Sequence, residues 1–330
     1  MKVLVTGASG MTGRAVVTAL IARGDTVTVL QRRPSGLDTA EVLGDVADAE
    51  LVRRAVVGHE AVLHLAAKVD VVGPWSDYQR ANVDGTRSVV AACRAAGVAR
   101  LVNVSSPSVA HAGTALVGAG AEPADPASAR SNYSRSKALA EQVALAADSC
   151  DLAVLCLRPH LIWGPGDTQL VAPVIARARS GRLPLIGRGT ALIDTTFVDN
   201  AVDALIAALD ACGPVHGEAL VVSNGEPRPI AEILQRVCDA AGVPGPRGRV
   251  PQRVAVMAGA AVEAGWRIGR RPGVPPMTRF LAEQLGTAHW FDQRRTRILL
   301  DWAPRVSLEQ GFQVLRQAFA AQGSDPDRSH

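Results

Sequence analysis

The chain has 330 residues, 48% hydrophobic and 20% charged, with 35 basic against 31 acidic residues for a net charge of +4. Those values describe a foldable globular chain with room for one large or two joined domains, and exclude a disordered or collagen-like one. The excess positive charge is too mild to imply nucleic acid, and its arginine pairs (Arg32-Arg33, Arg270-Arg271, Arg294-Arg295) are scattered. Five cysteines at 93, 150, 156, 212 and 238 are odd in number and show no Cys-x-x-Cys spacing. Neither a disulfide framework nor a metal site is expected, and a reducing cytoplasmic location is. The apolar run Val254–Val262 is too short to span a bilayer.

Strands are predicted at 2–6, 26–30, 61–65, 100–105 and 152–157, where Val and Leu occupy consecutive positions, as in strands buried on both faces. Amphipathic helices are predicted between them, at 11–23, 48–57, 77–96 and 132–148. Such alternation implies an α/β, Rossmann-type doubly wound parallel sheet. After Pro159 the pattern changes. Helices are predicted at 168–180 and 200–211, a short strand at 194–198 and a returning strand at 219–222. Segments 252–268, 277–285 and 307–321 read as helices of a smaller, mostly helical C-terminal cap. The dinucleotide-binding domain is accordingly placed at 1–162, with 192–225 and 286–301 returning to it. The cap is placed at 163–191, 226–285 and 302–325.

Gly7-Ala-Ser9-Gly10-Met11-Thr12-Gly13 joins the first strand to the first helix. Glycines permit a tight turn and close backbone approach, and the helix N-terminus attracts a pyrophosphate. Where an acidic residue would grip the ribose 2′-hydroxyl of NAD, the second strand ends Gln31-Arg32-Arg33. No carboxylate is present there to repel a 2′-phosphate and guanidinium groups suit one, so NADP(H) is preferred, with NAD(H) possible. Asp45 and Val46 follow the next short strand, where the carboxylate is a candidate acceptor for the adenine amino group. Leu65-Ala66-Ala67 close the third predicted strand at the ligand edge, and His64 within it reads as a packed histidine.

Tyr133 and Lys137 share one face of the helix predicted at 132–148. A nearby ammonium favours the phenolate and would bring the tyrosine towards its working range. The preceding strand ends Val104-Ser105-Ser106-Pro107-Ser108. Ser106 is the candidate carbonyl-orienting hydroxyl, Ser105 is placed by the cofactor and Ser108 by the substrate, and Asn82 is read as a brace. Catalysis is therefore assigned to Ser106, Tyr133 and Lys137.

The set Thr-Gly-x-x-Gly-x-x-Gly, Ser-Ser-x-x-Val, Tyr-x-x-x-Lys and Leu157-Arg-Pro-x-x-x-x-Gly164-Pro-Gly-Asp resembles the extended short-chain dehydrogenase/reductases over nearly the whole chain. The resemblance implies hydride transfer at a nicotinamide with proton transfer by the tyrosine, cofactor contacts at Pro159 and Ile162, and a homodimer formed through helices 77–96 and 132–148. Nucleotide-sugar epimerases of this family carry an Arg where this chain has Ile193, which weakens a sugar substrate. Ser105-Ser-Pro-Ser-Val and the Leu157 motif resemble the 3β-hydroxysteroid and sterol-4-carboxylate dehydrogenase branch. Gln169-Leu-Val, Asp194-Thr-Thr, Ser223-Asn-Gly-Glu-Pro and Pro276-Met-Thr-Arg-Phe-Leu-Ala-Glu-Gln-Leu resemble, more closely, the 2-alkyl-3-oxoalkanoate reductases of bacterial olefin and β-lactone biosynthesis. That resemblance implies NADPH-dependent reduction of an apolar β-keto acid to the β-hydroxy acid, with His160 and Trp163 as candidate substrate contacts. An NAD-dependent hydroxysteroid or sterol-4-carboxylate dehydrogenase and a non-catalytic NADP sensor remain the alternatives.

Overall fold

The computed structural model describes residues 1–70, 72–268 and 278–323. Arg270-Arg271, Pro276-Met277, the last two residues of the cap range 302–325 and the His330 end lie outside the described residues. The centre is a seven-stranded sheet of β1 (Lys2–Thr6), β2 (Thr26–Gln31), β3 (Ala40–Leu43), β4 (Ala61–His64), β5 (Arg100–Val104), β6 (Ala153–Pro159) and β7 (Glu218–Val222). Their order is β7-β6-β5-β4-β1-β2-β3, and every pairing is parallel. The chain moves outward from β1 through β2 to β3, then crosses back to β4 on the other side of β1. The carboxyl ends of β1 and β4 therefore flank the switch point where ligands of such sheets bind.

The apolar runs work as two-sided strands. Val3 and Val5 enter one core layer and Leu4 the other, because successive side chains point to opposite faces. Helices Met11–Ala22 and Val198–Ala211 cover the first face, through Val16, Val17, Leu20 and Val202. Helices Ala49–Val56, Gly85–Ala96 and Asn132–Leu145 cover the second, through Val52, Val89 and Ala144.

The helix predicted over 77–96 is interrupted. Trp75–Tyr78 and Gly85–Ala96 are α-helical, and Gln79–Asp84 between them is a π-helical stretch. That extra turn holds Asn82, whose carboxamide accepts from Lys68 N at 2.7 Å and donates to Lys68 O at 3.1 Å and Ser136 Oγ at 2.8 Å. Asn82 thus braces the loop after β4 against the helix carrying Tyr133.

A second, four-stranded sheet runs Arg228–Pro229, Leu192–Ile193, His289–Phe291, Leu116–Ala119, the last strand coming from the segment between β5 and β6. Helices Val171–Arg179, Ile230–Ala240, Gln252–Ile268, Arg279–Gly286 and Leu308–Gly323 make the remainder mostly helical. Among the described residues no helix is long and apolar enough to cross a membrane.

Candidate active site

The glycine turn sits at the switch point, and two of its glycines, Gly7 and Gly13, have no room for a side chain. Gly7 has φ +81°, and a Cβ there would meet Ala66 N at 2.7 Å. A Cβ on Gly13 would lie 2.3 Å from Gly7 O, so the helix packs directly on the turn. Helix Met11–Ala22 starts at Gly10 with no side-chain cap, leaving its first-turn amides to an external anion. Ser9 and Gly10 are exposed, and Met11 and Thr12 half-buried. These features fit a dinucleotide pyrophosphate.

Thr6 fixes the neighbouring edge: its Oγ1 contacts His64 Nδ1 at 2.7 Å and accepts from Ala66 N at 3.1 Å. His64 Nε2 reaches Thr86 Oγ1 at 3.2 Å, and burial pushes the imidazole down to about 3. It is the packed, neutral histidine expected. Leu65, Ala66 and Ala67 follow as a half-buried shelf beside Gly7. Val46 is buried against Gly85. Asp45, expected at the adenine, pairs with Arg80 at 3.0 Å and accepts from Ala47 N at 3.0 Å. Arg32 and Arg33 project into solvent just past β2.

Tyr133 and Lys137 lie on helix Asn132–Leu145, whose first turn is capped by Ser131 accepting from Ser134 N at 3.0 Å. Ser106 ends the segment after β5 and caps the short 3₁₀ turn Pro107–Ala110. Its Oγ lies 3.0 Å from Ser108 Oγ, and its side chain is near enough to Tyr133 to favour the ionised hydroxyl. The structure therefore brings Ser106, Ser108 and Tyr133 together. Ser105 keeps a buried hydroxyl without a partner in the protein and is tied to β6 through its backbone N–H.

Electrostatics depart from the expectation. Burial raises the Tyr133 hydroxyl above its ordinary value, opposed by the nearby Ser106 side chain, and Lys137 is not among the causes. Lys137 Nζ instead donates to Val104 O at 2.5 Å, and burial pushes its ammonium down to about 8. As it stands Tyr133 is a phenol kept protonated at neutral pH, suited to donating a proton rather than taking one.

On the substrate side, Trp163 corrects the sequence expectation. It is 1% exposed, donates to Thr195 Oγ1 at 2.9 Å and stacks on Phe312 at 4.6 Å, so it is core. His160 is also buried, with Nδ1 against Asp194 O, and burial lowers it to about 4. It is neutral and engaged, not poised for a carboxylate. Pro159 ends β6 buried beside Val222, and Ile162 is half-buried in a two-residue strand paired with Thr196–Phe197. Ile193 is buried in the four-stranded sheet, so an arginine there would need a different packing.

Three groups were not visible in the sequence. Glu41 swings back from β3 to the loop after β2 and binds Gln31 and Ser35. Glu41 lies ten residues downstream of Gln31 on an edge strand, so nothing in the local sequence marks a carboxylate at that loop. His111, His160 and His289 form one buried cluster, with ring centroids 4.9 Å (His111–His289) and 6.0 Å (His160–His289) apart. Glu141 and Arg158, 1% and 2% exposed, make a buried ion pair between the Tyr133 helix and β6. The two motifs Asp194-Thr-Thr and Ser223-Asn-Gly-Glu also meet: Asp194 accepts from Ser223 Oγ at 2.6 Å and Gly225 N at 3.1 Å.

Residues 3–223 match the NAD dependent epimerase/dehydratase family. The chain is 42% identical over 97% of its length to the 2-alkyl-3-oxoalkanoate reductase of Stenotrophomonas maltophilia (strain K279a), covering 100% of that protein. It is 33% identical over 94% of its length to a 3 beta-hydroxysteroid dehydrogenase/Delta 5-->4-isomerase of Mycobacterium tuberculosis (strain CDC 1551 / Oshkosh), covering 88% of it. Among solved structures it resembles MoeE5 in complex with UDP-glucose and NAD, with TM-score 0.77, 25% identity and coverage of 98% and 100% of the two chains. Sheet order, glycine turn and whole-length similarity agree: the chain belongs to the NAD dependent epimerase/dehydratase family, in its 3β-hydroxysteroid dehydrogenase-like branch, as an NAD(P)-dependent oxidoreductase.

Proposed function

We propose that this enzyme reduces an apolar 2-alkyl-3-oxoalkanoic acid to the 2-alkyl-3-hydroxy acid, with NADPH preferred over NADH. The observation that carries the reading is Ser106 set beside Tyr133, whose phenol burial keeps protonated, in a chain 42% identical to a reductase of that name. Arg32 and Arg33, exposed after β2, support the choice of the phosphorylated cofactor.

The residues divide the work. Gly7, Gly10, Gly13 and the first-turn amides would hold the pyrophosphate, and the Leu65–Ala67 shelf would lie beside the dinucleotide. A reduced dinucleotide held there would supply a hydride to the substrate carbonyl carbon. Tyr133 gives its hydroxyl proton to the carbonyl oxygen, and Ser106 donates a hydrogen bond that orients that oxygen. Lys137, one turn along the same helix with its ammonium on Val104 O, would hold the nicotinamide ribose. Ser108, whose hydroxyl lies 3.0 Å from that of Ser106, would contact the bound acid. Residues 163–191, 226–285 and 302–325 are read as the substrate cap over a dinucleotide-binding body, and the chain as a homodimer.

Purified protein is assayed with NADPH and a 2-alkyl-3-oxoalkanoate, and in reverse with the hydroxy acid, because β-keto acids lose carbon dioxide. Cofactor oxidation with the keto acid is expected. Turnover of a hydroxysteroid in its place, with no reaction of either acid, would sink this assignment in favour of the steroid dehydrogenase one.

A further inference from the structure

We propose that Glu41 sets how this enzyme weighs a 2′-phosphorylated dinucleotide against an unphosphorylated one, because its carboxylate occupies the donors that the phosphate would use. The inference deepens the cofactor choice made above and rests on the dinucleotide lying across the glycine turn, past the end of β2.

Glu41 pairs with Val29 across β2 and β3 and turns its carboxylate onto the loop that follows β2. Its Oε1 accepts from Gln31 Nε2 at 2.6 Å and Ser35 N at 2.8 Å. The Ser35 backbone N–H first, then the Ser35 hydroxyl and the Gln31 amide, hold this carboxyl below its usual range although it is exposed. The loop is tied to the phosphate-facing helix by Arg14, which donates to Ser35 O at 2.5 Å. Gly7 N donates to Leu30 O at 3.1 Å, so the same loop abuts the glycine turn. A backbone and an amide donor thus converge on one anion at the edge where the adenosine ribose of a dinucleotide would lie.

A second observation points to a ligand. Gln31 is 3% exposed, and with its nitrogen turned to Glu41 its Oε1 is buried without a partner. A ribose hydroxyl is the donor that this acceptor lacks. An unphosphorylated ribose can meet Gln31 and leave Glu41 in place. A 2′-phosphate brings about 1.5 to 2 negative charges to the same donors. It must displace the carboxylate while drawing on Arg32 and Arg33, both exposed and, among the described residues, without an ion pair.

The test is direct binding of NADPH and NADH, read by cofactor fluorescence, to the wild type and to Glu41→Gln and Glu41→Ala. The Gln variant keeps an acceptor for Ser35 N and loses only the charge. With one carboxylate facing a phosphate at solvent-like dielectric, NADPH should bind roughly tenfold more tightly, and NADH within about twofold of wild type. The gain should shrink as salt is added. The proposal is overturned if NADPH affinity is unchanged or falls, or if NADH affinity falls, which would make Glu41 a loop staple or a ribose ligand. Wild type that binds NADH and no NADPH would refute the cofactor preference above; Glu41 would still be judged by whether its removal opens NADPH binding.

Discussion

Glu141→Gln tests the buried ion pair that anchors the catalytic helix. Arg158 Nε donates to Glu141 Oε2 at 2.8 Å and a terminal nitrogen donates to Oε1 at 2.5 Å, with both residues fully enclosed. The other terminal nitrogen donates to Glu122 O at 2.7 Å. Glutamine conserves volume and leaves a guanidinium buried without its counter-charge, which costs about 3–5 kcal/mol. At about 2 °C per kcal/mol for a long chain, the midpoint of a thermal melt should drop by roughly 6–10 °C. Glu141→Leu with Arg158→Met removes both charges and should recover most of that, less about 1–3 kcal/mol for the orphaned Glu122 carbonyl. Activity adds a readout that mere stability would not move. Glu141 raises the ammonium of Lys137, one turn away, so its loss should shift the alkaline limb of the pH profile to lower pH. A Gln variant within about 1 kcal/mol of wild type, with an unmoved limb, would refute the reasoning by showing the pair to be hydrated.

Three further outcomes are expected. Tyr133→Phe should lower ketone reduction by about 10²–10⁴-fold while leaving NADPH binding intact, checked by steady-state kinetics beside a binding titration. Gly7→Ala forces a Cβ to within 2.7 Å of Ala66 N at φ +81° and should cost about 1–3 kcal/mol in strain together with cofactor affinity, seen in melts with and without NADPH. Burial pushes the Lys137 ammonium down to about 8 in the folded chain, from an ordinary value of about 10.5. Between those values the unfolded chain binds the extra proton, so this residue makes stability rise with pH across that window and adds no slope below it. Activity that needs the charged lysine should fall as pH rises through about 8, whereas Lys137→Arg should lose that particular limb.

The order of strands and helices was legible because two-sided burial writes itself as consecutive Val and Leu, and the glycine spacing marks a tight turn in which Gly7 and Gly13 have no room for a Cβ. Tyr133, Lys137 and Ser106 were legible from their places at strand ends and on one helix face, since those relations are local. The π-helical stretch was not, because its cause is the bonding of Asn82 to Lys68 and Ser136, fourteen and fifty-four residues away. Trp163 read as a ligand contact because an aromatic in a loop motif gives no sign of which side it packs on; Phe312, from the far end of the chain, decides that. The expected effect of Lys137 on Tyr133 failed for a related reason. Spacing puts two residues on one face, but burial and the Val104 carbonyl determine where the ammonium points and what it shifts.

The sequence by itself determined the sheet, the glycine turn and the nearness of Ser106 to Tyr133, all of which depend on periodicity or on local placement at strand ends. Only the tertiary structure placed Glu41 on the loop after β2, paired Glu141 with Arg158 beneath the catalytic helix and gathered the three histidines. Each of those depends on which distant strands lie side by side, and on how far burial moves a charge once they do.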